Sequence, residues 1–370
     1  MTKGLREWKL RDLVFWVAVW LIWLLTILPP ARYLYLGVSI LVLFVALADR
    51  RIRVGEEAAP FLLICIAGVV FSPLASAEGA RDVFLILAGV SASVLLTHPR
   101  IDIGKIVFWY VTAVLIHVAL FRDVGNFRFD FAASQSTLEG SFAFMFGLLA
   151  VFSMIGRRWW CFVVCVFFAF LTLKRIAVLA IALVFLVWIT KRQFGEWLLR
   201  PIVMVPANLA AVFLLLMYGS GALDSLIVLS TGMDANQLGM GRKALLSMPS
   251  REIFGSPESF LFFGTGPGGG YDLTSQTLRY AIGKVNLHSD LVKILYEYGF
   301  VVFCLFFGLA YRAKSYAVRL AFLYVNILLL TDNVLIYYFL IATYVIVSRA
   351  FSAGDSSGDI SSAVSDGRLA

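Results

Sequence analysis

Three short stretches of this chain put ionisable side chains where an anion can be held and a proton moved. The first is Leu173-Lys174-Arg175-Ile176, a basic pair wedged between two apolar runs. Such a pair can snorkel to lipid headgroups. It can also open a helix as an anion site, with the cations adding to the positive end of the helix dipole. The second is Gly241-Arg242-Lys243, with Arg251 nearby. These can be solvated loop charges, but an arginine fork also matches phosphate oxygens two at a time. Arginines from two distant segments would suit a diphosphate.

The third stretch runs from Asn286 through His288, Ser289, Asp290 and Lys293 to Glu297 and Gly299. Ser289 or Asp290 can cap the helix that follows. Asp290, Lys293 and Glu297 recur at helical spacing and form one polar stripe. Lys293 and Glu297, four apart, are expected to pair. Of the three histidines, His98 adjoins Pro99 and His117 lies in an apolar run. Both read as structural, which leaves His288 as the candidate base.

Two further motifs belong to the same half of the chain. Gly264-Thr265-Gly266-Pro267-Gly268-Gly269-Gly270 formally contains a dinucleotide-type glycine pattern. No strand precedes it and Pro267 interrupts it, so it reads as a tight turn whose glycines supply positive φ. Thr331-Asp332-Asn333 is a polar turn that can line the site. No Asp-x-Asp pair occurs, so neither a nucleotide-sugar metal site nor a cofactor is expected. The cysteines (Cys65, Cys161, Cys165, Cys304) all fall in apolar runs, where neither a disulfide nor a metal site is expected.

These residues must be positioned by a membrane bundle. The chain has 370 residues, 61% apolar and only 15% charged, with mean hydropathy +0.89. That excludes a soluble enzyme, a disordered chain and a disulfide scaffold. Apolar runs fall near 13–28, 33–48, 60–75, 82–97, 103–121, 138–155, 159–173, 175–190, 201–218, 291–311, 316–330 and 333–348. They predict an all-α polytopic bundle of about 12 transmembrane helices. The basic start leads into a first run too long for a signal-peptide core, which reads as a retained span. No internal repeat is visible.

With the first residues on the cytoplasmic side, 19 of the 31 Lys and Arg fall in cytoplasmic segments. The positive-inside rule then puts both termini in the cytoplasm. The net charge of +8 reads as this bias and not as nucleic-acid binding. Two outer segments stand out, 122–137 and the 72-residue stretch 219–290. The longer is too apolar for disorder and is expected to fold back on the bundle as short helices. The chain thus divides into a bundle over 1–350, including loop 219–290, and a Ser, Gly and Asp-rich tail over 351–370 expected to be disordered.

The order of Lys174-Arg175, Gly241-Arg242, Phe263-Gly264-Thr265-Gly266-Pro267-Gly268, His288-Ser289-Asp290-Leu291, Glu297-Tyr298-Gly299 and Thr331-Asp332-Asn333 resembles the superfamily of O-antigen ligases and Wzy-type O-antigen or exopolysaccharide polymerases. The resemblance implies a GT-C-like glycosyltransferase with a long periplasmic loop in the bacterial inner membrane. Its donor would be a polyprenyl-diphosphate-linked glycan, and a chain-length regulator is a possible partner. Arg175 and Arg242 match the family arginines that hold the diphosphate. His288 matches its loop-end histidine, the base toward an acceptor hydroxyl, and inversion at the anomeric carbon follows. Lys174, Lys243, Arg251, Asp290, Glu297 and Asp332 stand as substrate-binding candidates. Ser289 departs from the usual Asn after the histidine, and Lys174 from a small hydroxyl residue.

The resemblance favours polymerase over ligase. A lipid or solute transporter is the reading from another class, expected to show broken helices and midplane polar groups. A non-enzymatic scaffold would have no use for the basic pair at 174–175.

Overall fold

The computed structural model describes residues 54–91, 101–121, 129–130, 135–136, 140–239, 241–277 and 285–356, with isolated positions between 17 and 44. The runs at 13–28 and 33–48 therefore lie almost wholly outside the described residues, as do the end of 82–97 and the stretch 357–370.

The described chain is mostly helical. Its first group is α1 (Ala59–Val70), α2 (Ala77–Ser91), α3 (Ile103–Phe121), α4 (Phe142–Ile155), α5 (Trp159–Leu171), α6 (Arg175–Ile189), α7 (Arg192–Leu198) and α8 (Pro201–Ser220). Between α3 and α4 a two-residue strand, β1 (Phe129–Asp130), pairs antiparallel with β2 (Gln135–Ser136). Five short helices follow: α9 (Asp224–Thr231), α10 (Ala235–Leu238), α11 (Arg242–Gly255), α12 (Ser259–Phe262) and α13 (Gly269–Thr277). The chain then enters α14 (Asp290–Tyr311), α15 (Tyr316–Leu329) and α16 (Tyr338–Ser356). The described residues of 219–290 thus form short helices against the longer ones, as expected: α11 lies on α8, while α12 and α13 lie on α14.

Three described helices, α3, α8 and α14, are long and apolar enough to cross a membrane. Others, such as α4, α5, α6 and α15, are apolar but shorter. The surface matches a membrane protein. Trp160, Ile202, Leu120 and Phe108 are all exposed, on α5, α8 and α3, an arrangement that would aggregate in water.

The core lies where α4, α14, α15 and α16 meet. Helix α4 is apolar on every face, and every residue from Ala143 to Met154 is buried. Tyr324 of α15 donates its hydroxyl to the Phe144 carbonyl at 2.9 Å. Gly147 makes room for that ring: a Cβ there would fall 2.0 Å from the hydroxyl oxygen. Phe61 of α1 meets Phe306, Phe322 and Tyr344 edge-on at 5.8–6.5 Å, an arrangement aromatic quadrupoles favour.

Three boundaries differ from the sequence reading. Helix α2 starts at Ala77, ahead of the apolar run, because Asp82 is buried and paired within the protein. Helix α16 starts at Tyr338 and not near 333, since Asn333 to Tyr337 form turns. It also runs on to Ser356, into the stretch read as tail. Most consequential, α14 is not continuous. Gly299 has φ 83° and ψ 173°, which breaks the helix and frees the Tyr296 and Glu297 carbonyls from their partners a turn later. The glycine loop supplies substitutes: Thr265 N donates to Tyr296 O at 2.9 Å and Gly266 N to Glu297 O at 3.0 Å.

This docking demands glycine. A Cβ at Gly264 would sit 2.3 Å from the Glu297 carbonyl carbon, and backbone cannot rotate away. Gly264→Ala is expected to cost about 3 kcal/mol, the upper end for overpacking, read as a lower unfolding temperature in detergent. Gly255→Ala, with nothing within 4 Å, is the control.

Candidate active site

The site centres on His288, just before α14, on which charges from the starts of α6 and α11 and from the α15–α16 turn act. The starts of α6, α11 and α14 are each prepared by unusual backbone. Leu173, just before Lys174, has φ 54°, Gly241, just before Arg242, has φ 81°, and His288 itself has φ 55°. Two of the three non-glycine residues with positive φ among the described residues therefore lie here. Left-handed backbone at a bulky residue costs about 1–3 kcal/mol and clusters at functional sites. Lys174 and Gly241 are the N-caps of α6 and α11, and neither has a side-chain cap. Ser289 caps α14 by accepting from Val292 N at 3.4 Å.

His288 is half-buried and feels groups from three other segments. Burial is the largest influence and pushes its pKa down from the ordinary 6.5. Arg242 and Lys174 push it down further, and Asp332 opposes them. Lys174, Arg242 and Asp332 are thus each within electrostatic reach of His288, although they span 158 positions, from 174 to 332. The histidine is held neutral, ready to accept a proton, in a field suited to an anion.

The other sequence candidates are placed differently. Arg175 is exposed in the first turn of α6; Lys174, not Arg175, is the member of the pair that influences the histidine. Lys243 is paired with Asp224, tying α11 to α9. Arg251 is exposed on α11, while its neighbour Glu252 accepts the Tyr296 hydroxyl at 2.5 Å. Glu297 is buried and accepts from Gly270 N at 3.3 Å, inside the glycine loop. Lys293 Nζ contacts Asp82 of α2 at 2.5 Å, and the Glu297 carboxylate, four residues on, also acts on its charge. Gly266 and Gly268 both have φ 88°, as a tight turn requires.

Asp290 is fully buried. Its Oδ2 accepts from Leu335 N at 2.7 Å, and its own N–H donates to the Asp332 carbonyl at 3.3 Å. Its Oδ1, Thr331 Oγ1 and Asn333 Oδ1 are buried without a hydrogen-bond partner. Such atoms are rare in native proteins and mark places where a ligand hydroxyl can be received. Among the described residues no three His, Cys, Asp or Glu side chains are grouped to hold a metal ion.

No family model, curated protein or solved structure matches the chain.

Sequence reasoning missed Asp82 and Tyr271, which with Asn286 form a network beside the site. Asp82 opens the apolar run at 82–97, where a charge reads as the edge of a span. Treating it as an ionisable group inside a membrane helix, the test applied to Lys293, would have singled it out.

Proposed function

We propose that this membrane protein is a metal-independent, inverting glycosyltransferase that polymerises polyprenyl-diphosphate-linked oligosaccharide repeats. The observation that carries the reading is the convergence of Lys174, Arg242, His288 and Asp332 from four separate segments. In this reading the bundle has about 12 spans, both termini are cytoplasmic, and the site opens on the periplasmic side of the inner membrane.

Each group then has a task. Arg242 and Lys174, beside two helix N-termini without side-chain caps, hold the donor diphosphate, with Arg175 at the rim. An acceptor hydroxyl attacks the anomeric carbon while the bond to the diphosphate oxygen breaks. The bonding pair leaves with the diphosphate, whose growing charge the cations stabilise. The hydroxyl proton passes to His288, and Asp332 offsets the imidazolium charge as it forms. The unpartnered oxygens of Asp290, Thr331 and Asn333 would receive acceptor hydroxyls. A ligase transferring the glycan to lipid A core would use the same donor chemistry.

The decisive test is incubation of purified protein with the lipid-linked repeat unit alone. A ladder of products supports polymerisation. Product only after addition of lipid A core identifies a ligase, and no product with either acceptor overturns the glycosyltransferase reading.

The pH profile gives a second test. A base with a lowered pKa is active when neutral, so turnover should fall only as pH drops through a value below 6.5. Lys174→Ala removes a cation that depresses that pKa, so the acid limb should move to higher pH. Asp332→Asn removes the opposing anion and should move it to lower pH. Limbs that stay fixed in both variants would disprove His288 as the titrating base.

One observation speaks for a transporter, namely the break in α14 at Gly299, since transporters use the freed carbonyls of broken helices to bind ions. Here the Tyr296 and Glu297 carbonyls are occupied by Thr265 and Gly266, which weakens that reading.

A further inference from the structure

The buried network around Asp82 holds both flanks of His288. Asp82 Oδ2 accepts from Lys293 Nζ at 2.5 Å and from the Tyr271 hydroxyl at 3.1 Å. Its Oδ1 accepts from Arg81 Nε at 3.3 Å and Nη2 at 3.1 Å. The Tyr271 hydroxyl accepts in turn from Asn286 Nδ2 at 2.9 Å and from Arg81 Nη2 at 3.1 Å. Its single proton goes to Asp82, so the hydroxyl is fully used. Burial pushes the Tyr271 pKa up to about 12, which keeps it a neutral donor. Lys293 also lies over the Tyr271 ring, 4.9 Å from its centroid.

Two lines therefore run from one carboxylate toward the histidine. One passes through Tyr271 to Asn286, which lies two residues before His288. The other passes through Lys293, one turn into the helix that begins just after it. His288 sits between them with φ 55°, a conformation that persists only where the surroundings over-determine it.

We propose that Asp82 is a positioning residue that fixes the left-handed backbone of His288 through Tyr271–Asn286 on one side and Lys293 on the other. Its catalytic importance rests on the proposed role of His288 as base. Its structural content does not, and can be measured without substrate. The rival explanation is a network that stabilises the bundle and leaves the histidine indifferent.

Diethyl pyrocarbonate modifies neutral imidazole, and peptide mass spectrometry reads His288 separately from His98 and His117. Its rate against pH reports both accessibility and titration, the latter set by Asp332 of the α15–α16 turn, Arg242 of α11 and Lys174 before α6. Tyr271→Phe cuts the line to Asn286 while leaving the Lys293–Asp82 pair. It should raise the His288 rate at alkaline pH by roughly threefold or more, as local opening would, and move its midpoint up toward 6.5, with little change in unfolding temperature. Asp82→Asn should do the same more strongly. Wild-type rate and midpoint in Tyr271→Phe would overturn the proposal, even if Asp82→Asn does not fold. With the lipid-linked repeat, Tyr271→Phe should lower kcat while leaving KM near wild type. Absence of turnover in the wild-type protein would refute the glycosyltransferase reading and leave the labelling result standing.

Discussion

Arg242→Ala should lower turnover about 10²–10³-fold while the protein stays folded, the usual loss when one preorganised group facing developing charge is removed. Arg242 has the strongest claim to this effect. It starts α11 directly after a left-handed glycine, and its charge reaches His288. Lysine at this position should recover only part of the rate, since a point charge cannot reproduce the two-pronged contact of a guanidinium. Lys174→Ala should also slow turnover, and the double variant should fall short of the product of the two, because both would stabilise the same charge. Lys243→Ala is the control within the same turn: its ammonium already has Asp224 as partner, so a small kinetic effect is expected. The measurement is single-turnover transfer from the lipid-linked repeat. An Arg242→Ala rate within threefold or so of wild type would remove the diphosphate assignment.

Lys293→Met should be the most destabilising of the substitutions considered, by about 3–5 kcal/mol, the range for stripping one partner from a buried ion pair. Lys293 is 6% exposed, and Asp82 and Glu297 are buried beside it. Without the ammonium, carboxylates face a low-dielectric interior with no countercharge but Arg81, which is itself partly exposed. The double variant Asp82→Leu with Lys293→Met should recover much of the loss, because an apolar pair of similar volume avoids the cost of burying charge. Denaturant unfolding in detergent, followed by tryptophan fluorescence, reads both. If the single variant unfolds like wild type, the pair is hydrated and not buried as described.

Much of this site is visible in the residue order. The basic pair at 174–175, Arg242, His288 and Asp332 stand out because ionisable groups are costly in an apolar chain, and the structure gathers Lys174, Arg242 and Asp332 around His288. The glycine turn at 264–270 is visible for a similar reason, since few other residues accept its positive φ. What could not be seen is set by partners remote in sequence. Periodicity offers Glu297 as the partner of Lys293, and its charge does act on the lysine, but the second carboxylate, Asp82 at 2.5 Å, comes from 211 residues away and no local spacing reveals it. The break at Gly299 is hidden too: a lone glycine in a helical pattern is ordinarily tolerated. It becomes a break here because Thr265 and Gly266 offer replacement donors. Choosing between Lys174 and Arg175 was likewise beyond sequence, because it depends on the left-handed turn at Leu173 that starts α6 at Arg175.

The Asp82–Lys293 pair also sets a problem of timing during synthesis. Its members are 211 residues apart, and at about 5–20 residues per second Asp82 leaves the ribosome roughly 10–40 s before its partner. An unpaired charge in an inserted helix costs up to about 2.5–3.5 kcal/mol, the full amount only at its centre. If α2 lies within the bilayer, as the proposed bundle of about 12 spans has it, it is a marginal segment during that interval, held by the translocation machinery or resting at the bilayer surface. Arrival of α14 completes the charge pair and removes that cost, so final seating of an early helix awaits a late one. A nascent chain truncated before Lys293 should leave α2 open to proteolysis or chaperone capture.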